Sequence, residues 1–128
     1  MKTLCLLTMV TVMAAVSLEK VKGGEVIYVA SIIEKTVTTF PVNPDSGELT
    51  ELSSLTLPES QGAMDLTPSG THVYVAMAGR DAKSNMATAF VATLERQQDN
   101  TLLLSAVAKI ATRPPYIRAD DSGRYLMM

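Results

Sequence analysis

The chain has 128 residues, 47% of them apolar, with 11 basic against 13 acidic side chains, one histidine and one cysteine. That length allows one domain with a core built on Val, Leu, Ile, Met and Ala, since there is no Trp and only two Phe. Near-balanced charge, without a basic cluster or an aromatic RNA-binding motif, gives nucleic-acid binding no footing, and a single His with a single Cys excludes the usual zinc sets and any internal disulfide.

At the amino terminus Met1-Lys2 is followed by an apolar and small-residue stretch from Thr3 to Leu18, closed by Glu19-Lys20. A short basic head, a core of this length and Ala15-Val16-Ser17 as a small-residue cleavage site predict a secretory signal peptide over residues 1–17. The stretch is short of the roughly 20 residues that a bilayer requires. The expectation is an exported chain, periplasmic or secreted, that is not held in a membrane after cleavage. A buried N-terminal strand or helix is the plainer alternative. Cys5 falls within the leader, too near the start for lipid attachment, so the mature chain has no thiol.

Beyond the leader the chain repeats itself. Gly24-Glu25-Val26-Ile27-Tyr28-Val29-Ala30, Gly70-Thr71-His72-Val73-Tyr74-Val75-Ala76 and Gly123-Arg124-Tyr125-Leu126-Met127-Met128 each read as a glycine, a polar residue or two, then a strand. The spacing, 46 residues from Gly24 to Gly70 and 53 from Gly70 to Gly123, is that of a β-repeat. Ala63–Ser69 before the second copy and Tyr116–Ser122 before the third predict a strand entering a tight turn, Thr-Pro-Ser-Gly in one and Asp-Asp-Ser-Gly in the other.

Downstream of the first copy, Thr36 to Val42 turns through Asn43-Pro44-Asp45-Ser46-Gly47 into Glu48 to Leu57. After the second, Ala87 to Leu94 turns through Arg96–Asn100 into Thr101 to Ile110. Strand-turn-strand order without a helical period predicts antiparallel β structure. Four strands linked by short turns make one propeller blade, and a closed ring takes about four to eight blades. On this count the first unit lacks its opening strand, the second is complete and the third stops after two strands. The fold expected is therefore all-β, a partial β-propeller of about two four-stranded antiparallel blades, with an open two-sheet β domain as the alternative.

Few residues suggest chemistry. His72 sits at a strand position held by Val26 and Tyr125 in the other copies, which favours a structural role. Asp120 and Asp121 fall where Thr67 and Pro68 stand in the preceding unit, so they read as turn residues rather than paired catalytic carboxylates. Gly79–Ser84 lacks the glycine spacing of a phosphate loop and reads as an exposed link, longer than Ser31–Lys35. The stretch Arg113-Pro114-Pro115-Tyr116-Ile117-Arg118 leads into a channel-lining strand, which makes Arg113, Tyr116 and Arg118 the candidate substrate-binding residues. A guanidinium there is suited to a carboxylate or phosphate; a bridge to an acid on the neighbouring blade is the structural alternative. No catalytic residue is assigned.

Residues 25–128 resemble the seven-bladed propeller lactonase family, typified by bacterial 6-phosphogluconolactonase and relatives of the carboxymuconate lactonizing enzyme. The carriers are Val26–Ala30, Val37–Val42 with the Pro44-Asp45-Ser46-Gly47-Glu48-Leu49-Thr50 turn, Thr67–Ala76 and Asp121–Leu126. The resemblance implies hydrolysis of a sugar lactone without metal or cofactor. In such chemistry a polar side chain activates water and arginines polarise the ring carbonyl or hold the acid group. It also implies that the catalytic groups lie on later blades, so that this N-terminal piece is inactive alone. Family members often carry Gly-Pro-x-His entering a channel strand. Here Arg113-Pro114-Pro115-Tyr116 stands in its place, which, with the leader, points away from the usual phosphorylated, cytoplasmic substrate. The rival expectation is a non-catalytic propeller that binds a ligand in the periplasm or at the cell surface. A third, an oxidoreductase-type propeller with a quinone or haem-linked partner, lacks a Cys-x-x-Cys-His motif.

Overall fold

The computed structural model describes residues 16–21 and 24–128. Among these described residues ten strands run in chain order: β1 (Val16–Val21), β2 (Gly24–Ser31), β3 (Thr36–Val42), β4 (Ser53–Thr56), β5 (Ser60–Leu66), β6 (His72–Arg80), β7 (Ala87–Arg96), β8 (Leu102–Ile110), β9 (Arg118–Ala119) and β10 (Leu126–Met127). They form two four-stranded sheets, ordered β1-β2-β3-β4 and β5-β6-β7-β8, and a two-stranded hairpin of β9 and β10. All pairings are antiparallel. The described residues are thus all-β, and each full sheet is an up-and-down meander.

The first sheet corrects one expectation. The opening strand thought to be missing is present as β1, paired from Val16↔Val29 to Val21↔Gly24. Its sequence, Val-Ser-Leu-Glu-Lys-Val, alternates too briefly to announce a strand beside the apolar run that precedes it; the partner edge of β2 organises it. Of the predicted leader, residues 1–15 lie outside the described residues, whereas Val16 and Ser17 open β1.

The repeat shows in the registers. Asp65↔Tyr74 and Leu66↔Val73 in the second sheet recur as Arg118↔Met127 and Ala119↔Leu126 in the hairpin. The turns match as well. Thr67 N–H donates to the His72 carbonyl and Gly70 N–H to the Thr67 carbonyl; Asp120 pairs likewise with Tyr125 and Gly123 with Asp120. Gly70 and Gly123 have φ of 69° and 68°, a left-handed conformation that glycine adopts without steric cost.

The two long hairpins differ in their arms. Tyr28↔Thr39 and Ala30↔Val37 in the first sheet correspond to Tyr74↔Thr93 and Ala76↔Val91 in the second. The β6–β7 ladder then continues to Arg80↔Ala87 before turning at Asp81–Met86. Its tip has the same span as Ser31–Thr36, with Asn85 (φ 54°) in the position of Lys35 (φ 56°). The extra residues therefore lengthen the strands rather than the link predicted at Gly79–Ser84.

Strand pleating puts alternate residues on opposite faces. From β2 and β3, Val26, Tyr28, Ala30, Val37 and Thr39 are buried together. Val26, Tyr28, Ala30 and Val37 meet Val73, Val75, Met77, Ala92 and Leu94 from β6 and β7 in a single core. β5 lies beside β1, β2 and β9, and β4 beside β8, so first strands neighbour first strands and last neighbour last. The opposite face of the second sheet, with Ala76, Ala89 and Val91 buried, is the side from which Asp65 reaches the hairpin: its Oδ2 accepts the Ala119 N–H at 2.8 Å.

Candidate functional site

The three candidate residues lie on the approach to β9 and in it. Pro114, Ile117 and Ala119 are buried and anchor the segment, which leaves Arg113, Tyr116 and Arg118 pointing out between them, all exposed. The stem of Arg113 rests against Gly62 of β5, where a Cβ would stand 3.4 Å from its Cδ and 3.6 Å from its Nε. Arg118 stands opposite Met127, at the register position that Asp65 holds opposite Tyr74. Asp65 is occupied with the backbone of β9. Among the described residues no acid faces Arg113 or Arg118 within ion-pair distance. The structure places these three side chains along one segment and does not close a pocket around them.

The start of β5 brings together groups that the sequence did not mark. Glu59 reaches Lys35 at the tip of the β2–β3 hairpin, Nζ to Oε2 3.8 Å. Its carboxylate also occupies the space beside Gly79 where a Cβ would stand. Both partners are partly exposed, so the pair contributes about 0–1 kcal/mol. Gln61, two residues on, is fully buried opposite Met77, and neither its carboxamide oxygen nor its nitrogen has a partner. A glutamine second in a strand that also carries Ser60 and Asp65 gave no distinctive signal in the sequence.

The hydroxyl and carboxylate groups elsewhere serve turns. The Thr71 hydroxyl lies 2.8 Å from His72 Nδ1 and 2.8 Å from the Ser69 hydroxyl, within the β5–β6 turn. Asp120 accepts N–H bonds from Ser122, Arg124 and Tyr125 and the Ser122 hydroxyl bond, which holds its carboxyl below the ordinary range, the Ser122 hydroxyl contributing most. Asp81 is lowered chiefly by the Ser84 N–H and hydroxyl, and Asp99 by the Thr101 hydroxyl and N–H. Such turn carboxylates are spent on backbone donors rather than held for proton transfer. Among the described residues no three His, Cys, Asp or Glu side chains converge as a metal site would require.

A shallow depression of about 360 Å³ lies on the outer face of the first sheet, lined by Val29, Ser31, Ile33, Glu34, Thr38, Phe40 and Glu51. A second, open one is lined by the β7–β8 turn, Glu95–Asp99 and Thr101. Neither includes Arg113, Tyr116 or Arg118. No family model matches the chain, and no curated protein matches it either.

Proposed function

We propose that this chain is the N-terminal part of an exported β-propeller of the lactonase type, whose full-length form hydrolyses a sugar lactone. The observation that carries the reading is the sheet arrangement. Two four-stranded meanders of the same strand order stack face to face, with the first strand of each unit (β1, β5, β9) adjacent to the next. In a propeller those strands line the central channel. Arg113, Tyr116 and Arg118, on and before β9, then lie where a substrate acid group or ring carbonyl would be met, and the guanidinium groups supply charge-assisted hydrogen bonds. A water-activating base belongs to later repeats, and no metal or cofactor enters the scheme. Export rests on the residue 1–17 leader pattern.

Assay of lactone opening by the 128-residue chain and by a chain continued through further repeats tests the reading. The short chain stays at the uncatalysed rate and the longer one exceeds it. Turnover by the short chain removes the claim that the catalytic groups lie beyond it; an inert longer chain that still binds a ligand favours the rival. That rival, a non-catalytic binding propeller, is favoured by one observation: Arg113, Tyr116 and Arg118 have no acid or base partner among the described residues.

A further inference from the structure

Strand β5 breaks step with β6 once, close to the candidate residues. Gln61 stands opposite Met77 and Met64 opposite Val75, so three steps along β5 match two along β6 and the strand bulges over Gly62 and Ala63. In a regular strand residues three apart lie on opposite faces. Here Met64 packs against the shared core, and Gln61 is buried opposite Met77, a member of that core. The bulge therefore turns a glutamine inward, where neither end of its carboxamide has a partner. Departures from local rules that leave a polar group unsatisfied are characteristic of sites kept for function rather than packing, and bulges re-aim the side chains around them.

The side chain beside this bulge is Arg113. A Cβ on Gly62 would stand 3.4 Å from Arg113 Cδ, 3.6 Å from its Nε and 3.6 Å from the Ala76 carbonyl oxygen, so the bare glycine leaves a notch against which the arginine stem rests. The backbone is held as well, because a residue before proline is confined to extended conformations and Pro114 is buried. Arg118, by contrast, is exposed in β9 opposite the half-exposed Met127. We infer that Gly62 is the positioning residue of Arg113: the notch and Pro114 fix the guanidinium before a ligand arrives, which makes Arg113 rather than Arg118 the anchor for a substrate's acid group. Fixing an arginine costs much rotamer freedom. A stem seated in advance spares the ligand that loss and presents the planar fork for two parallel bonds to a carboxylate. This positioning rests on the reading of Arg113 as a substrate contact and names the group that sets where the contact is made.

NMR relaxation of the arginine Nε–H signals, measured on the 128-residue chain without ligand, tests the seat directly and needs no variant. Arg113 Nε should be as ordered as the strands and Arg118 Nε mobile. Equal mobility of the two overturns the positioning role while leaving the ligand role of Arg113 untouched. Titration with D-gluconate, the open acid of a sugar lactone, then reads the function. Arg113→Ala should weaken gluconate binding by about tenfold, the scale of one charge-assisted hydrogen bond. Gly62→Val, whose branches have no room beside the stem, should do the same and should mobilise Arg113 Nε. Gly62→Ala places a single Cβ at ordinary contact distance and should stay within about twofold of wild type. In the double variant of Gly62→Val and Arg113→Ala the losses should not add, because both act through one guanidinium. Additive losses, or a Gly62→Val chain that binds like wild type, overturn the positioning role. Far-UV circular dichroism checks that Gly62→Val keeps its strands; if it does not, the order of Arg113 Nε in the wild-type chain decides. An Arg113→Ala chain that binds gluconate as wild type does brings down the substrate-contact reading itself, and the positioning role with it.

Discussion

Single residues divide into those that set turns and a few buried polar side chains without partners, Gln61 foremost because both ends of its carboxamide are orphaned. Asp81, Asp99 and Asp120 each cap a turn, and each carboxyl is held below its ordinary value of 3.8. Because the folded value lies below the unfolded one, the charged form is favoured by folding. That contribution is fully present above pH 3.8 and is lost as pH falls through the lower folded value. Acid unfolding is therefore expected to steepen below about pH 4, and Asp81→Asn with Asp99→Asn should flatten the profile, as followed by urea melts at successive pH values. Gly70, at φ 69°, belongs to the same group. Gly70→Ala is expected to cost about 1–2 kcal/mol from the left-handed backbone alone, read as a lower urea midpoint at unchanged slope. Gln61 is the opposite case, a buried carboxamide with no partner. Its orphaned groups carry a desolvation cost, so Gln61→Met, which keeps the volume, should stabilise by about 1–3 kcal/mol. A loss of stability instead would mean that the carboxamide is satisfied by bound water.

At the scale of elements, legibility followed local chemistry. The Thr-Pro-Ser-Gly and Asp-Asp-Ser-Gly turns, the Asn-Pro-Asp-Ser-Gly turn and the runs they separate were readable because Gly, Pro and Asp act on their own backbone. Strand β3 was predicted over Thr36–Val42, where it lies, and β8 differs from its prediction by one residue. β4 is shorter than the predicted Glu48–Leu57, confined to Ser53–Thr56. β1 entered only through the alternative of an N-terminal strand or helix and not as the opening strand of the first unit, since its strand state depends on pairing with β2 and not on its own pattern. The length of the β6–β7 arms was likewise a matter of tertiary register. One inter-element bond has a measurable consequence: the Asp65 carboxylate bound to Ala119 N–H at 2.8 Å. Asp65→Ala is expected to loosen β9–β10 by about 1.5–3 kcal/mol, the range for a hydrogen bond to a charged group. Amide exchange at Ala119 and Leu126 should then quicken while Val75 and Ala92 keep their protection; uniform protection across all four would show that the bond does not hold the hairpin.

At the scale of the molecule, what unites the sheets among the described residues is the shared core rather than any strand pairing between them. Tyr28, Val73, Met77 and Leu94 are fully buried and belong to one cluster with Val26 and Leu102. The candidate site was less legible than this core for a physical reason. Arg113, Tyr116 and Arg118 could be named from a segment, but the grouping of Lys35 with Glu59 depends on how two sheets stack, which no local pattern encodes. The stacking makes a definite statement about cooperativity. If the two meanders share one core, neither can unfold without exposing the other's buried face, and they form one cooperative unit. Met77→Ala, from the second sheet, removes a fully buried side chain and is expected to cost about 2–5 kcal/mol. Val26→Ala, from the first, should lower the same transition by a smaller amount. Amide exchange read separately in β2 and β6 distinguishes the cases. Both sheets should lose protection together in either variant. Loss confined to the mutated sheet would mean that the meanders are independent units that merely touch, and the stacking rule behind the propeller reading would lose its energetic basis.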